Sequence, residues 1–446
     1  MKGFMLAGVK SGCGKTTVTC AVLSAFRAKG LKTAAFKCGP DYIDPMFHRE
    51  TAGARVCNLD SYFCDENTVR YLLGSVSEGC DVSVIEGVMG FYDGGEGSAY
   101  NVSRITGAPV VIVVDCKGMS ESIGAVVSGY LNYRKPNNIA GFIFSRLPAR
   151  LAPMAKELCG ELGTEYFGYL PQCEHTIDSR HLGLVTPDEI DGIESRLAAL
   201  GELAQENILT DRLAELEIGL PAYQPPVIPV CGRGVRIAVA RDMAFCFIYE
   251  ENMRLLEEMG CEIEFFSPLD DSRVPDADGM ILCGGYPELY AERLSQNTEM
   301  LSDIKERIFG GMPTIAECGG FMYLHERIET KEGKSYPMAG VIGGSAYWTG
   351  KLGRFGYAEM TAESGGLLLG KGGKLRIHEF HYFDSNSCGD SFTAVKPDGR
   401  QWRCGHSSGS LYAGFPHIYF FSDITAAERF VRACAAYGGA KDEHDS

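Results

Sequence analysis

The densest chemistry in the sequence lies in Gly8-Val9-Lys10-Ser11-Gly12-Cys13-Gly14-Lys15-Thr16-Thr17. Glycines there let backbone N–H groups turn inward around phosphate oxygens, and a following helix N-terminus adds partial positive charge. Lys15 is placed to reach the outer phosphates and the Thr16 hydroxyl to ligate Mg²⁺. Ser11, Gly12, Gly14, Lys15, Thr16 and Thr17 are therefore the expected phosphate-binding set. Val9 stands where the G-x-x-x-x-G-K-[ST] pattern has its first glycine, with Gly8 one position earlier. Lys10 also spells K-x-G-x-G-K-T-T, the signature-lysine form of partition and septum-site ATPases, and keeps that class open.

A second centre is Pro313-Thr314-Ile315-Ala316-Glu317-Cys318-Gly319-Gly320-Phe321. An apolar strand runs into a cysteine flanked by glycines and then into a helical pattern, the nucleophile-elbow arrangement with sulfur in place of the serine oxygen. Ala316 breaks the usual G-x-C-x-G. The turn is expected to expose the sulfur, and the helix N-terminus to favour its thiolate. A cysteine nucleophile needs a base, and nine histidines are available. His417 lies in a strand-like run, Ala413 to Phe421, while His378 and His381 form an alternative pair in H-E-F-H, which lacks the i, i+4 spacing of a zinc helix. Gly284 and Gly285 at a strand end, with Gly319 after the cysteine, offer N–H groups for an oxyanion hole. Tyr286-Pro287-Glu288 follows as a candidate wall of the same pocket.

Positioning these groups requires two α/β layers. Up to about residue 200, strands at Phe4–Ala7, Thr33–Lys37, Val82–Ile85, Val110–Val114, Ile139–Phe144 and Tyr166–Tyr169 alternate with helical patterns at Val18–Ala28, Glu66–Ser77, Ser120–Tyr133 and Pro153–Leu162. Near-continuous apolar strands alternating with helices predict a parallel sheet covered on both faces, with ligands outside the carboxyl ends of its strands. Three polar segments fall at such ends: Lys37-Cys38-Gly39-Pro40-Asp41-Tyr42-Ile43-Asp44-Pro45, Glu86 to Gly95 with Asp93, and Asp115-Cys116-Lys117. Asp41 and Asp115 read equally well as turn or capping residues. An acidic stretch and then four prolines in Pro221–Pro229 mark a connector. The expected domains are 1–202, a linker over 203–232, and 233–440. The second begins with strand Val235–Ala240, helix Ile248–Met259, and strands Glu262–Phe266 and Gly279–Cys283.

Composition narrows the class. The 446 residues suffice for two ordinary domains, and 45% apolar with 22% charged content describes a globular chain. A net charge of −16 argues against nucleic-acid binding. No apolar run approaches the roughly 18 residues of a membrane span, and the chain enters a strand at once, so no signal peptide is expected. The 17 cysteines, an odd number without a C-x-x-C pair, read as reduced thiols of a cytoplasmic protein.

Taken together, the motifs resemble the cobyrinic acid a,c-diamide synthase family over nearly the whole chain. The resemblance rests on S-G-x-G-K-T-T, K-x-G-P-D-Y-I-D-P, E-G-V-M-G-x-Y-D-G and Arg180-His181-Leu182-Gly183-Leu184. In the second half it rests on Ala240 to Tyr249, Gly284 to Glu288, Ala316 to Leu324, Arg354-Phe355-Gly356-Tyr357, His378-Glu379-Phe380-His381 and His417. It implies an N-terminal P-loop, dethiobiotin-synthetase-like domain binding ATP and a corrinoid, and a C-terminal class I glutamine amidotransferase domain.

The resemblance also implies a ligase reaction in which ATP phosphorylates a substrate carboxylate and glutamine-derived ammonia displaces the phosphate, at the c- and then the a-carboxylate of cobyrinic acid. ATP would lie on the residues from Ser11 to Thr17, with Mg²⁺ on Thr16, Asp44 and Glu86. Asp93 would stand near the activated carboxylate, and Tyr42, Ile43, Arg180 and His181 would bind the substrate. Cys318 would be the nucleophile and His417 its base. Tyr419 stands where many such enzymes carry a glutamate, so the third member of the Cys–His site is open; an already acidic thiol would make it dispensable. Lys37, Arg146, Arg180, His181 and Arg354 are the cations expected to meet a polycarboxylate. Ammonia is expected to travel by a protected route between the domains. Expected partners are small molecules (a corrinoid or related tetrapyrrole, glutamine and ATP), with a homodimer admitted and neither nucleic acid nor membrane expected. Hydrogenobyrinic acid and nickel-sirohydrochlorin are alternative substrates, cobyric acid synthase a remoter relative, and a partition-type ATPase switch the rival class.

Overall fold

The computed structural model describes residues 1–173 and 186–444. It divides into two compact units, Met1–Pro226 and Val227–Ser446. Arg180 and His181 lie outside the described residues.

The first unit alternates strands and helices in the order β1 (Gly3–Gly8), α1 (Lys15–Ala28), β2 (Thr33–Cys38), α2 (Ile43–Ala52), β3 (Arg55–Leu59), α3 (Glu66–Ser77), β4 (Val82–Gly90), α4 (Ala99–Thr106), β5 (Val110–Asp115), α5 (Ser122–Asn132), β6 (Ile139–Ser145), α6 (Ala152–Glu161), β7 (Glu165–Leu170), α7 (Ile193–Asn207) and α8 (Thr210–Glu215). The seven strands form one sheet, ordered β3-β2-β4-β1-β5-β6-β7, with every pairing parallel. All six residues of β1 are buried, which is what a central strand covered on both faces requires. Side-chain caps set helix starts: Asp65 accepts from Thr68 N–H at 2.7 Å at α3, and Ser98 accepts from Asn101 N–H at 3.2 Å at α4.

The expected linker start at residue 203 is corrected. Leu200, Ala204, Ile208 and Leu213, on and beside α7 and α8, are buried in the core that contains Phe4, Val22 and Phe26. The chain then stays on this unit: Gly3 N–H donates to Leu216 O at 2.8 Å, and Gln224 N–H donates to Asn67 Oδ1 at 2.8 Å. The acidic helices therefore have an apolar side that the first core needs. β3 and α2 were also not anticipated; the Pro-Asp-Tyr-Ile-Asp-Pro run, which resembles a turn, starts a helix at Ile43.

The second unit runs β8 (Arg236–Ala240), β9 (Phe245–Phe247), α9 (Glu250–Glu258), β10 (Glu262–Phe266), β11 (Gly279–Leu282), β12 (Gly284–Gly285), α10 (Ala291–Gln296), α11 (Thr298–Phe309), β13 (Thr314–Glu317), α12 (Gly319–Tyr323), β14 (His325–Glu329), β15 (Ser335–Pro337), β16 (Ile342–Ala362), β17 (Lys374–Ser385), β18 (Phe392–Val395), β19 (Gln401–Cys404), β20 (His406–Ser407), β21 (Leu411–Gly414), β22 (His417–Ile418) and α13 (Ile424–His444). One sheet, β10-β8-β11-β13-β21-β20, is parallel except at its β20 edge. A second, mostly antiparallel sheet is built on the long β16–β17 pair, and β22 adds to β17 with His417 opposite His378. That second sheet is absent from the sequence expectation, which followed the α/β alternation. Among the described residues no helix is long and apolar enough to cross a membrane.

Candidate active sites in the two units

The loop between β1 and α1 is stabilised from several sides. A Cβ on Gly8 would lie 2.4 Å from Cys13 Sγ and 2.8 Å from Lys15 Cδ, so the lysine stem crosses bare backbone at that residue. This accounts for the shifted glycine: the close approach falls at position 8, while Val9 donates to Val113 O at 3.2 Å and accepts the Tyr130 hydroxyl at 2.7 Å. Gly14, at φ 90°, opens α1. Lys15 is buried, and its ammonium donates to Met89 O at 2.7 Å and Lys10 O at 3.2 Å. Burial lowers its pKa. Ser11, Gly12, Thr16 and Thr17 complete the turn in the expected strand–loop–helix context.

Beside the loop is a buried acidic cluster. The Thr16 hydroxyl donates to Glu86 Oε1 at 2.7 Å and to Asp44 Oδ1 at 3.2 Å. Lys37, from the end of β2, bonds Asp44, stands 3.2 Å from Glu86 Oε1 and 3.7 Å from Asp41 Oδ2. His48 Nε2 lies 2.7 Å from the other Glu86 oxygen. Burial acting alone would raise the Glu86 pKa, but Lys37, His48 and the Thr16 bond hold it well below the ordinary carboxylate range. For Lys37 burial is likewise outweighed by Asp44, Glu86 and Asp41, and the ammonium stays charged.

The three hard oxygens of Thr16, Asp44 and Glu86 converge as a Mg²⁺ site demands.

Around this cluster the other expected residues separate. Asp93 is exposed and accepts from Gly90 N–H at 3.2 Å; its turn is tied to the loop through Phe91 N–H to Gly8 O at 2.8 Å. Asp41 caps α2, accepting from the Ile43 and Asp44 N–H groups at 3.0 and 3.1 Å. Tyr42 and Ile43 are buried on that same first turn, so they set the position of Asp44.

Of the cations expected to meet a polycarboxylate, Lys37 faces Asp41, Asp44 and Glu86, Arg146 pairs with Asp115 at 2.6 Å, and Arg354, in the second unit, pairs with Asp384 at 3.2 Å. Lys10 also pairs with Asp115 of its own unit, at 3.1 Å.

In the second unit Cys318 follows β13 at φ 45° and ψ −100°, a strained elbow, and α12 begins at the next residue. Its N–H donates to Gly414 O at 2.8 Å. The expected exposed, acidic thiol is corrected. Cys318 is only 5% exposed, and burial, reinforced by Glu288, Glu379 and Glu317, pushes the thiol well up despite the Gly319 N–H. A thiol held above its ordinary range needs a base to act as a nucleophile.

His417 is buried, and a Cβ on Gly284 would lie 2.7 Å from its Cε1. A Cβ on Gly319 would lie 2.9 Å from Gly285 N, so Gly284, Gly285, Gly319 and His417 form one close-packed locus. Glu317, immediately before the cysteine, has Oε2 at 3.5 Å from His417 Nδ1 and accepts from Ile418 N–H at 3.1 Å through Oε1.

His378 and His381 are not a metal pair. Burial first, then His417, lowers His378 to about 3. His381 is bonded to Glu379 at 2.9 Å and Phe383 O at 2.6 Å, and stacks on Phe415 at 4.0 Å. Reasoning from sequence missed His48 and the link from Glu317 to His417. His48 had its position six residues after Tyr42 of Pro-Asp-Tyr as a signal; Glu317 had none, since β22 lies a hundred residues downstream.

Comparison with known proteins covers both units. Residues 4–184 match the CobQ/CobB/MinD/ParA nucleotide binding domain, and residues 236–424 the CobB/CobQ-like glutamine amidotransferase domain. The cobyrinate a,c-diamide synthase of Caldanaerobacter subterraneus subsp. tengcongensis is 37% identical over 98% of this chain and 99% of its own length. Those of Priestia megaterium and Fusobacterium nucleatum subsp. nucleatum are 37% and 39% identical, over 97% and 96% of this chain and 97% and 99% of their own lengths.

Proposed function

The chain belongs to the cobyrinate a,c-diamide synthase family, and from that premise we propose that it amidates the c- and then the a-carboxylate of cobyrinic acid, using ammonia from glutamine and ATP as the activating reagent. The observation that carries this reading is similarity to such synthases along both units, each of which holds a compatible site.

In the first unit, Lys15 and the N–H groups from Ser11 to Thr17 bind the phosphates of ATP, and Thr16, Asp44 and Glu86 would hold Mg²⁺, which would supply positive charge to offset that on the phosphate oxygens. A substrate carboxylate oxygen attacks the terminal phosphorus, the bond to the ADP oxygen breaks, and an acyl phosphate forms. Ammonia then attacks the carbonyl carbon, the C–O bond to phosphate breaks, and nitrogen loses a proton. Asp93, exposed beside the loop, is placed to orient the ammonia and accept that proton.

In the second unit, His417 takes the Cys318 proton as sulfur attacks the glutamine amide. The oxyanion is received by N–H groups of the Gly284–Gly285 and Gly319 locus. His417 returns the proton to the leaving ammonia, and water releases glutamate from the thioester.

The partition-type reading leaves Cys318 and the glutamine amidotransferase domain over residues 236–424 without a purpose. Mass spectrometry of cobyrinic acid incubated with the protein, ATP–Mg²⁺ and glutamine tests the proposal. Two added amides are expected. Unchanged cobyrinic acid beside glutamine-dependent ATP use would move the substrate to hydrogenobyrinic acid or nickel-sirohydrochlorin. Absence of glutamine and ATP consumption would overturn the amidase reading.

A further inference from the structure

Tyr419, two residues after His417, is fully buried with its ring 5.0 Å from that of Tyr249, so no carboxylate reaches the histidine from that position. We propose that Glu317, the residue immediately before the nucleophile, is the positioning carboxylate of His417. The inference rests on the glutaminase part of the functional reading.

Three observations support it. The two Glu317 oxygens are divided between groups of one short strand: Oε1 accepts from Ile418 N–H at 3.1 Å, and Oε2 stands 3.5 Å from His417 Nδ1. The backbone bond fixes one carboxylate oxygen, and the second stands within ion-pair distance of the ring. Glu317 is 8% exposed, and among the described residues its one ion-pair partner is His417. A buried carboxylate with a histidine as its sole cationic partner gains most when that histidine becomes charged.

The strand itself is held in place. Asn252 donates to Ile418 O and accepts from Phe420 N–H, both at 2.8 Å, so α9 fixes β22 while β13 brings Glu317 and Cys318 to it together. Across the strand pair His378 on β17 faces His417, and burial keeps it neutral. Glu288 and Glu379 act on Cys318 from their own elements.

With Nδ1–H directed at Glu317, Nε2 carries the lone pair. It accepts the thiol proton as the S–C bond forms and gives it to nitrogen as the C–N bond breaks. The Glu317 carboxylate stabilises the imidazolium between the two transfers.

The test compares Glu317→Gln with the unaltered protein in glutamine hydrolysis and in amidation driven by ammonium chloride, which bypasses Cys318. Glutamine hydrolysis should fall by about 10²–10⁴-fold in kcat with a nearly constant KM, by analogy with loss of the orienting acid in hydrolase triads. Its acidic limb should move to lower pH, because a negative charge beside the imidazolium is lost. Ammonium-driven amidation should be unchanged, and Glu317→Asp should recover part of the loss. An unshifted pH profile, or an equal loss with ammonium chloride, would overturn the proposal.

If the Gln variant does not fold, ¹⁵N NMR of histidine-labelled unaltered protein still decides: neutral His417 protonated on Nδ1 is expected, and protonation on Nε2 refutes the assignment. If the unaltered protein hydrolyses no glutamine, the functional reading fails while the tautomer still tests Glu317.

Discussion

Gly284 lies directly against His417: a Cβ built on the glycine would be 2.7 Å from the imidazole Cε1, well inside contact distance. Because His417 is buried and its strand is fixed by Asn252, the ring can yield only by leaving its place. Gly284→Ala should therefore lower glutamine hydrolysis by about 10²-fold, the order expected of a misplaced catalytic group. Ammonium-driven amidation should be retained. Steady-state rates with the two nitrogen donors check this, and a parallel loss of both would mean that the substitution damages more than the glutaminase site.

Glu86 is the mirror case in the first unit. Its oxygens take the Thr16 hydroxyl, Lys37 and His48, so removing its charge disturbs the proposed metal site and nothing in the second unit's chemistry. Glu86→Gln should reduce ATP-dependent amidation by about 10²–10³-fold, typical of losing one preorganised electrostatic group. Glutamine hydrolysis should persist. Equal loss of both activities would contradict the assignment of separate sites.

Glu288 supplies a pH test. Burial pushes its carboxyl up to about 7. A raised acid pKa means that the folded chain keeps a proton which the unfolded chain releases near pH 4.3, so the group costs stability progressively from there to about pH 7. Glu288→Gln should thus raise the melting temperature at pH 8 and leave it unchanged at pH 4. The same variant removes a negative charge acting on Cys318, so iodoacetamide should alkylate that thiol faster above pH 7. A slower or pH-independent reaction would show that Glu288 does not govern the thiol.

Local signals carried much of this architecture. The apolar runs at β1 and β5, the glycine loop and the Cys318 elbow are each contiguous in sequence, and each stands in the expected strand, turn or helix context. What escaped depends on distant pairing. β22 is two residues long and acquires its meaning from β17, where His378 meets His417. Lys37 resembles a free cation at a strand end until α2 brings Asp44 to it and β4 brings Glu86. The thiol of Cys318 shows the same limit: the elbow and helix are local and lower a pKa, whereas burial, joined by Glu288 and Glu379 from separate segments, is not local, and it wins.

Lys37 then becomes the most informative residue of the first unit. It is 4% exposed and faces Asp41, Asp44 and Glu86, so Lys37→Met leaves a buried cluster of carboxylates without its cation. Breaking such an arrangement costs about 3–5 kcal/mol. The cost should shrink on acidification, because protonating the carboxylates removes the repulsion, and Glu86, whose pKa Lys37 does most to hold down, takes up its proton more readily once that cation is gone. A divalent cation on Thr16, Asp44 and Glu86 would replace the missing charge. Added Mg²⁺ should therefore raise the melting temperature of Lys37→Met more than that of the unaltered protein, in the absence of nucleotide and substrate. Thermal unfolding with and without Mg²⁺ reads this directly, and an equal response in both proteins would argue that these oxygens are an ion-pair network and not a metal site.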